Sequence, residues 1–134
     1  MEIVKCSKKY WEFVRTLRNN EKVQEGFIET IEITPEMQEK YMNKYNECYR
    51  VVLAEVHAGD SLSKVPVGFV GVIENDIRVC THPNFQGRGY GKFMINECIK
   101  IWPNAFAKVK IKNKASLKLF ESCGFNKKYY ILKR

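Results

Sequence analysis

Between Tyr49 and Thr81 the chain offers three runs rich in branched residues, cut apart by two tight turns. Tyr49 to Val56 is the first and ends at Ala58-Gly59-Asp60. Val65 to Ile73 (V-P-V-G-F-V-G-V-I) is the second, and Glu74-Asn75 turns it directly into the third, Asp76 to Thr81. Turns this short join only antiparallel neighbours, so the segment predicts a β-meander. Pro83 stops it. A glycine-rich stretch, Gln86-Gly87-Arg88-Gly89-Tyr90-Gly91, then leads into a helix that ends near Trp102-Pro103.

The flanks complete an α/β pattern. Ile3 to Cys6 reads as a short first strand, and Tyr10, Phe13, Val14 and Leu17 recur at helical spacing. Thr34-Pro35-Glu36 is a helix start: a hydroxyl cap, proline at the first position and an acid in the first turn. Met37, Tyr41, Tyr45 and Cys48 follow as an expected core stripe. Ala105 to Ile111 reads as another strand, Asn113 to Ser122 as a short helix stopped by Gly124, and Phe125 to Leu132 as a last strand in which Tyr129 and Tyr130 point opposite ways. A chain of 134 residues with no linker or repeat is expected to be one domain, residues 1–134.

Charge and cysteine usage narrow the function classes. Residues 1–99 carry thirteen basic and fourteen acidic side chains, while residues 100–134 carry ten basic ones and only Glu121 against them. The basic last quarter suits an anionic partner, or is simply a solvated surface. Five cysteines at 6, 48, 80, 98 and 123, no C-x-x-C pair and only His57 and His82 argue against a disulfide framework and against a metal. Without an apolar span or signal core, no membrane partner is expected, and a reducing cytoplasm is the expected location.

A glycine-rich turn at a helix N-terminus presents backbone N–H groups and the positive end of the helix dipole, an arrangement suited to pyrophosphate. It is not a Walker A loop, for no G-K-[ST] follows, and it does not fit G-x-G-x-x-G. T-H-P-N-F-Q-G-R-G-Y-G resembles motif A of the GNAT acyltransferases, [Q/R]-x-x-G-x-[G/A] after a strand. N-K-A-S-L-K-L-F-E-S-C-G-F, Asn113 to Phe125, resembles motif B of the same family. The two lie in order with a strand between them.

The resemblance implies a mixed, mostly antiparallel, twisted sheet flanked by helices, with acetyl-CoA in a V between the fourth and fifth strands. It implies that Val79, Cys80 and Thr81 offer backbone groups to the pantetheine arm, with the Val79 N–H on the thioester carbonyl. Gln86, Gly87, Arg88, Gly89, Tyr90, Gly91 and Lys92 would hold the pyrophosphate, and Asn113, Ser116 and Phe120 would line the other side. The implied activity is direct N-acetyl transfer from acetyl-CoA, the cosubstrate, to a primary amine: an amino sugar, a protein N-terminus or a small amine.

Glu74 and Asp76 are the first candidates for the base that takes the amine proton, directly or through water, with Glu55 on the neighbouring strand a third; Glu74 reads equally as an exposed turn residue and Asp76 as a strand cap. His82 reads as a strand exit. Phe120 stands where the family places a phenolic acid, so Cys123, Tyr129, Tyr130 or water would have to replace it. Nine residues after Phe125 leave room for one strand where the family has two, so the acceptor pocket is open or is completed by a homodimer partner. By looser likeness Arg18, Asn19 and Phe27 would sit near that pocket. The alternatives are a catalytically weak acetyl-CoA-binding protein and, ranked lower for want of any nucleic-acid motif, a basic nucleic-acid-binding module.

Overall fold

The computed structural model describes all 134 residues. Four strands, β1 (Glu2–Lys5), β2 (Tyr49–Ala58), β3 (Ser61–Ile73) and β4 (Asp76–Thr81), form one sheet in the order β1-β2-β3-β4, every pair antiparallel. Glu74 and Asn75 take φ values of 52° and 67°, the left-handed pair that lets a two-residue turn match the twist of β3 and β4. The helices are α1 (Trp11–Arg18), α2 (Glu21–Gln24), α3 (Pro35–Tyr45), α4 (Tyr90–Ile101) and α5 (Lys114–Ser122).

Alternation along the strands gives the sheet two apolar faces. Tyr49, Val51, Leu53, Phe69 and Cys80 pack with Val14 and Leu17 of α1 and Met42 of α3. Val52, Val67, Val70, Val72 and Ile77 pack on the other face with Met94, Ile95 and Cys98 of α4 and Phe120 of α5. Fully burying one such aliphatic side chain contributes about 1.5–3 kcal/mol, so both faces need their helices.

Three sequence expectations are corrected. Ala105 to Ile111 is not a full strand: one parallel bridge joins Asp76 to Phe106. The Ile77 N–H donates to the Phe106 carbonyl at 2.8 Å, the Phe106 N–H donates to Asn75 at 2.7 Å, and no further pairing follows. Phe125 to Leu132 forms no strand. The adjoining segment carries no ladder for it to extend, and Tyr129 and Tyr130 are 92% and 85% exposed rather than split between core and solvent. On α3 the buried pair is Gln38 and Met42, whereas Met37 is exposed. The Gln38 amide donates to the Trp11 carbonyl at 2.7 Å, which ties α3 to α1 and turns Met37 outward.

Candidate functional site

The geometry begins at the free edge of β4. Because the Ile77 N–H points away from β3 to Phe106, the Val79 N–H two residues on points the same way. Past Phe106 the neighbouring segment has parted from β4, so the Val79 N–H faces the opening. Val79 and Thr81 are half-buried beside it, and Cys80 is buried with its thiol in the opposite core. Burial pushes the Cys80 thiol up to about 12, which makes it a packing group and not a nucleophile.

After Thr81 the chain turns through Pro83–Phe85, a 3₁₀ turn in which the His82 Nδ1 accepts the Asn84 N–H at 3.1 Å. The imidazole is thus engaged as the strand exit. The Gln86 side-chain amide donates back to the Thr81 carbonyl at 3.4 Å, holding the loop against the strand. Gly87 and Gly89 have φ values of 76° and 89°, open to glycine at no steric cost. Gly91 serves packing: a Cβ there would lie 2.9 Å from the Leu119 Cδ2 of α5.

Asn20, Thr34 and Asn113 cap α2, α3 and α5 through their side chains, whereas α1 and α4 have no side-chain cap. The N–H groups from Gln86 through Lys92 find no acceptor within the chain. Seven donors and the positive end of a helix dipole therefore lie in one exposed segment, with nothing within 4 Å of where a Gly87 Cβ would be. The Arg88 guanidinium lies 5.1 Å over the Phe85 ring and has no carboxylate partner, so it is a free cation beside them.

The other candidates are placed less alike. Asn113 uses its side-chain oxygen to accept the Ser116 N–H at 3.1 Å, so it acts first as the cap of α5. Phe120 is only 5% exposed and meets Phe125 edge-on at 5.3 Å between centroids. Glu74 is an exposed turn residue, and Asp76 lies beside Lys108, Oδ2 to Nζ 3.8 Å. Both sit at the closed end of the opening. Asp76 is three residues from Val79, about 10 Å along a strand. Asn19 is a clamp: it exchanges two 2.8 Å hydrogen bonds with the Ile33 backbone and fastens the loop before α3. Phe27 packs against the α1–α3 core. A hollow lined by Asn20, Glu21, Lys22, His82, Pro83 and Asn84 opens beside α2.

A model of the acetyltransferase (GNAT) family matches residues 11–125. The chain belongs to the GNAT acetyltransferases. Among curated proteins none matches it in sequence. Among solved structures, this GNAT chain is similar to the spermidine N-acetyltransferase of Vibrio cholerae in complex with CoA and spermine. The TM-score is 0.78 at 20% identity, over 99% of this chain and 85% of that one. It is similar to a domain from Methanocaldococcus jannaschii, with TM-score 0.75 and 22% identity over 95% and 88% of the two chains. It is similar also to the ribosomal-protein-alanine N-acetyltransferase of Brucella melitensis, with TM-score 0.73 and 17% identity over 94% and 85%. At these identities the likeness is one of fold. No helix is long and apolar enough to cross a membrane.

Sequence reading put Arg18 near the acceptor pocket but did not connect it with Tyr41, over whose ring it lies, or through the Tyr41–Tyr49 hydroxyl pair with Arg78. Arg18, Tyr41, Tyr49 and Arg78 come from α1, α3, β2 and β4, and only the cross-strand register brings the last two together. A glycine inside a strand opposite a tyrosine, Gly71 opposite Tyr49, was the one signal available.

Proposed function

We propose that this GNAT protein moves an acetyl group from acetyl-CoA directly to a primary amine. The observation that carries the reading is the set of unpartnered N–H groups from Gln86 through Lys92, next to a strand edge that opens after one bridge. A pyrophosphate supplies the acceptors those donors lack, and Arg88 and Lys92 add charge. Asn113, Ser116 and Phe120 would wall the pantetheine arm across the opening from Val79, Cys80 and Thr81. Neighbours of the same fold that hold CoA support this reading.

The chemistry asked of the chain is modest. Holding the thioester and amine together supplies much of the rate. The Val79 N–H, fixed in the sheet and aimed into the opening, stabilises the oxyanion of the tetrahedral intermediate. A direct base must come within about 3.2 Å of the proton it takes. The backbone of Asp76 lies about 10 Å along the strand from Val79, so in this reading water carries the amine proton toward Asp76, the nearer of the two carboxylates. Phe120 has no proton to give the departing thiolate, and water serves there as well. Five free cysteines agree with a reducing cytoplasm.

The test is calorimetric titration with CoA, followed by an acetyl-CoA consumption screen over amino sugars, peptides and polyamines. Binding with turnover of at least one amine class is expected. Failure to bind CoA overturns the reading, and binding without turnover of any class favours a carrier that has lost catalysis.

A further inference from the structure

Tyr49, Gly71 and Arg78 stand opposite one another across β2, β3 and β4, so they share one face of the sheet. The Tyr49 ring occupies the space over Gly71: a Cβ there would lie 2.4 Å from its Cε1. The ring thereby crosses β3 toward β4. Its hydroxyl meets that of Tyr41 at 2.7 Å, and the Arg18 guanidinium lies 5.7 Å over the Tyr41 ring. Arg18 and Arg78 both act electrostatically on the Tyr49 hydroxyl, and Arg18 acts on the Cys80 thiol as well. Arg78 directly precedes Val79 on β4, and Arg18 reaches the Tyr49 face of the sheet from α1 through Tyr41.

Neither guanidinium is neutralised within the fold. Arg15 pairs with Glu12, and Arg50 donates to the carbonyls of Glu47 and Tyr49. Arg18 and Arg78 have no ion pair and donate no hydrogen bond within the chain. Two free guanidiniums repel a polycation, and their planar forks suit a carboxylate or phosphate.

We propose that Arg18 and Arg78, joined through the half-buried Tyr41–Tyr49 hydroxyl pair that positions them, bind an acidic group on the acceptor, which is therefore an amine carrying a carboxylate or phosphate and not a polyamine. The inference rests on the acetyltransferase reading above and specifies its acceptor.

The experiment pairs acceptors that differ by one anionic group. Lysine is set against cadaverine for a carboxylate, and glucosamine 6-phosphate against glucosamine for a phosphate, with spermidine alongside. The anionic member of one pair is expected to have the higher kcat/KM by about 10- to 100-fold, the range of one charge-assisted hydrogen bond. Arg18→Gln and Arg78→Gln should each raise KM for that acceptor and collapse the preference, while CoA affinity stays unchanged. In parallel, the arginine Nε–H resonances of the CoA-loaded protein are followed on adding lysine or glucosamine 6-phosphate. Those of Arg18 and Arg78 should shift saturably. Preference for cadaverine, glucosamine or spermidine, or unmoved Arg18 and Arg78 resonances with both acids, overturns the inference and leaves the acetyltransferase reading standing. Loss of CoA binding in wild-type protein would instead sink that reading itself.

Discussion

Tyr49 and Gly71 face each other across β2 and β3 so closely that the ring fills the place of a side chain: an added Cβ would be 2.4 Å from Cε1 and 2.5 Å from Cδ1. Gly71→Ala is therefore expected to cost about 1–3 kcal/mol through overpacking. It should also push the Tyr49 hydroxyl out of reach of Tyr41. Urea unfolding measures the first effect, and Tyr49→Phe, which keeps the ring, separates it from the second. An unaltered midpoint in Gly71→Ala would mean that the ring moves freely.

Gly89→Asp puts a carboxylate among the unpartnered N–H groups, and puts a side chain on a residue with φ 89°. CoA affinity should fall by two orders of magnitude or more, about 2.7 kcal/mol or above. Gly89→Ala carries the backbone strain, about 1–3 kcal/mol in stability, without the charge. Calorimetry on both variants isolates the electrostatic part, and equal CoA affinity in Gly89→Asp and wild type would remove the loop from the site.

Asp76→Asn loses the ion pair with Lys108 and a distant carboxylate, so turnover should drop less than about tenfold with CoA affinity intact. Glu74→Gln, at an exposed turn, should leave turnover within twofold of wild type. A loss of 10² or more in either variant, with an altered pH–rate profile, would make that residue the base after all.

Phe120→Tyr offers the leaving sulfur a proton donor. Where chemistry limits turnover, kcat should rise, by up to roughly 10²-fold. Because the ring is 5% exposed and set against Phe125, the same variant is to be checked by thermal unfolding. Destabilisation without a faster chemical step would place the new hydroxyl in the core and not at the sulfur.

Burial pushes Cys80 up to about 12, and Cys6 and Cys98 up to about 11. Protonated in the fold and titrating near 9 when unfolded, these thiols contribute stability that is complete below pH 9. It is lost as pH rises from 9 through about 11–12, because the unfolded chain ionises first. Each thiol contributes a slope of at most about 1.4 kcal/mol per pH unit in that window. Urea midpoints between pH 7 and 11 should be level at first and then fall, and Cys80→Ala should flatten the fall. In native protein a thiol reagent should find Cys48 and Cys123 before the buried three.

The local chemistry of the chain was sufficient for much of this molecule. Glu74-Asn75 admits only a tight turn, Thr34-Pro35 announces α3, and Gly87 and Gly89 announce a left-handed loop before α4 wherever the rest of the chain goes. These depend on dihedral preferences and hydrogen-bond needs within a few residues. What they could not decide is pairing. Ala105 to Ile111 and Phe125 to Leu132 look like strands, but a strand exists only where another offers its edge. β4 gives Phe106 one bridge before the two part, and the final segment has no ladder to join. The same holds for side chains brought together from afar. Arg18 and Arg78 are sixty residues apart in sequence and are linked only through the Tyr41–Tyr49 pair, whose Tyr49 ring Gly71 admits across the sheet. That register is a property of the folded sheet, set by the burial of both its faces.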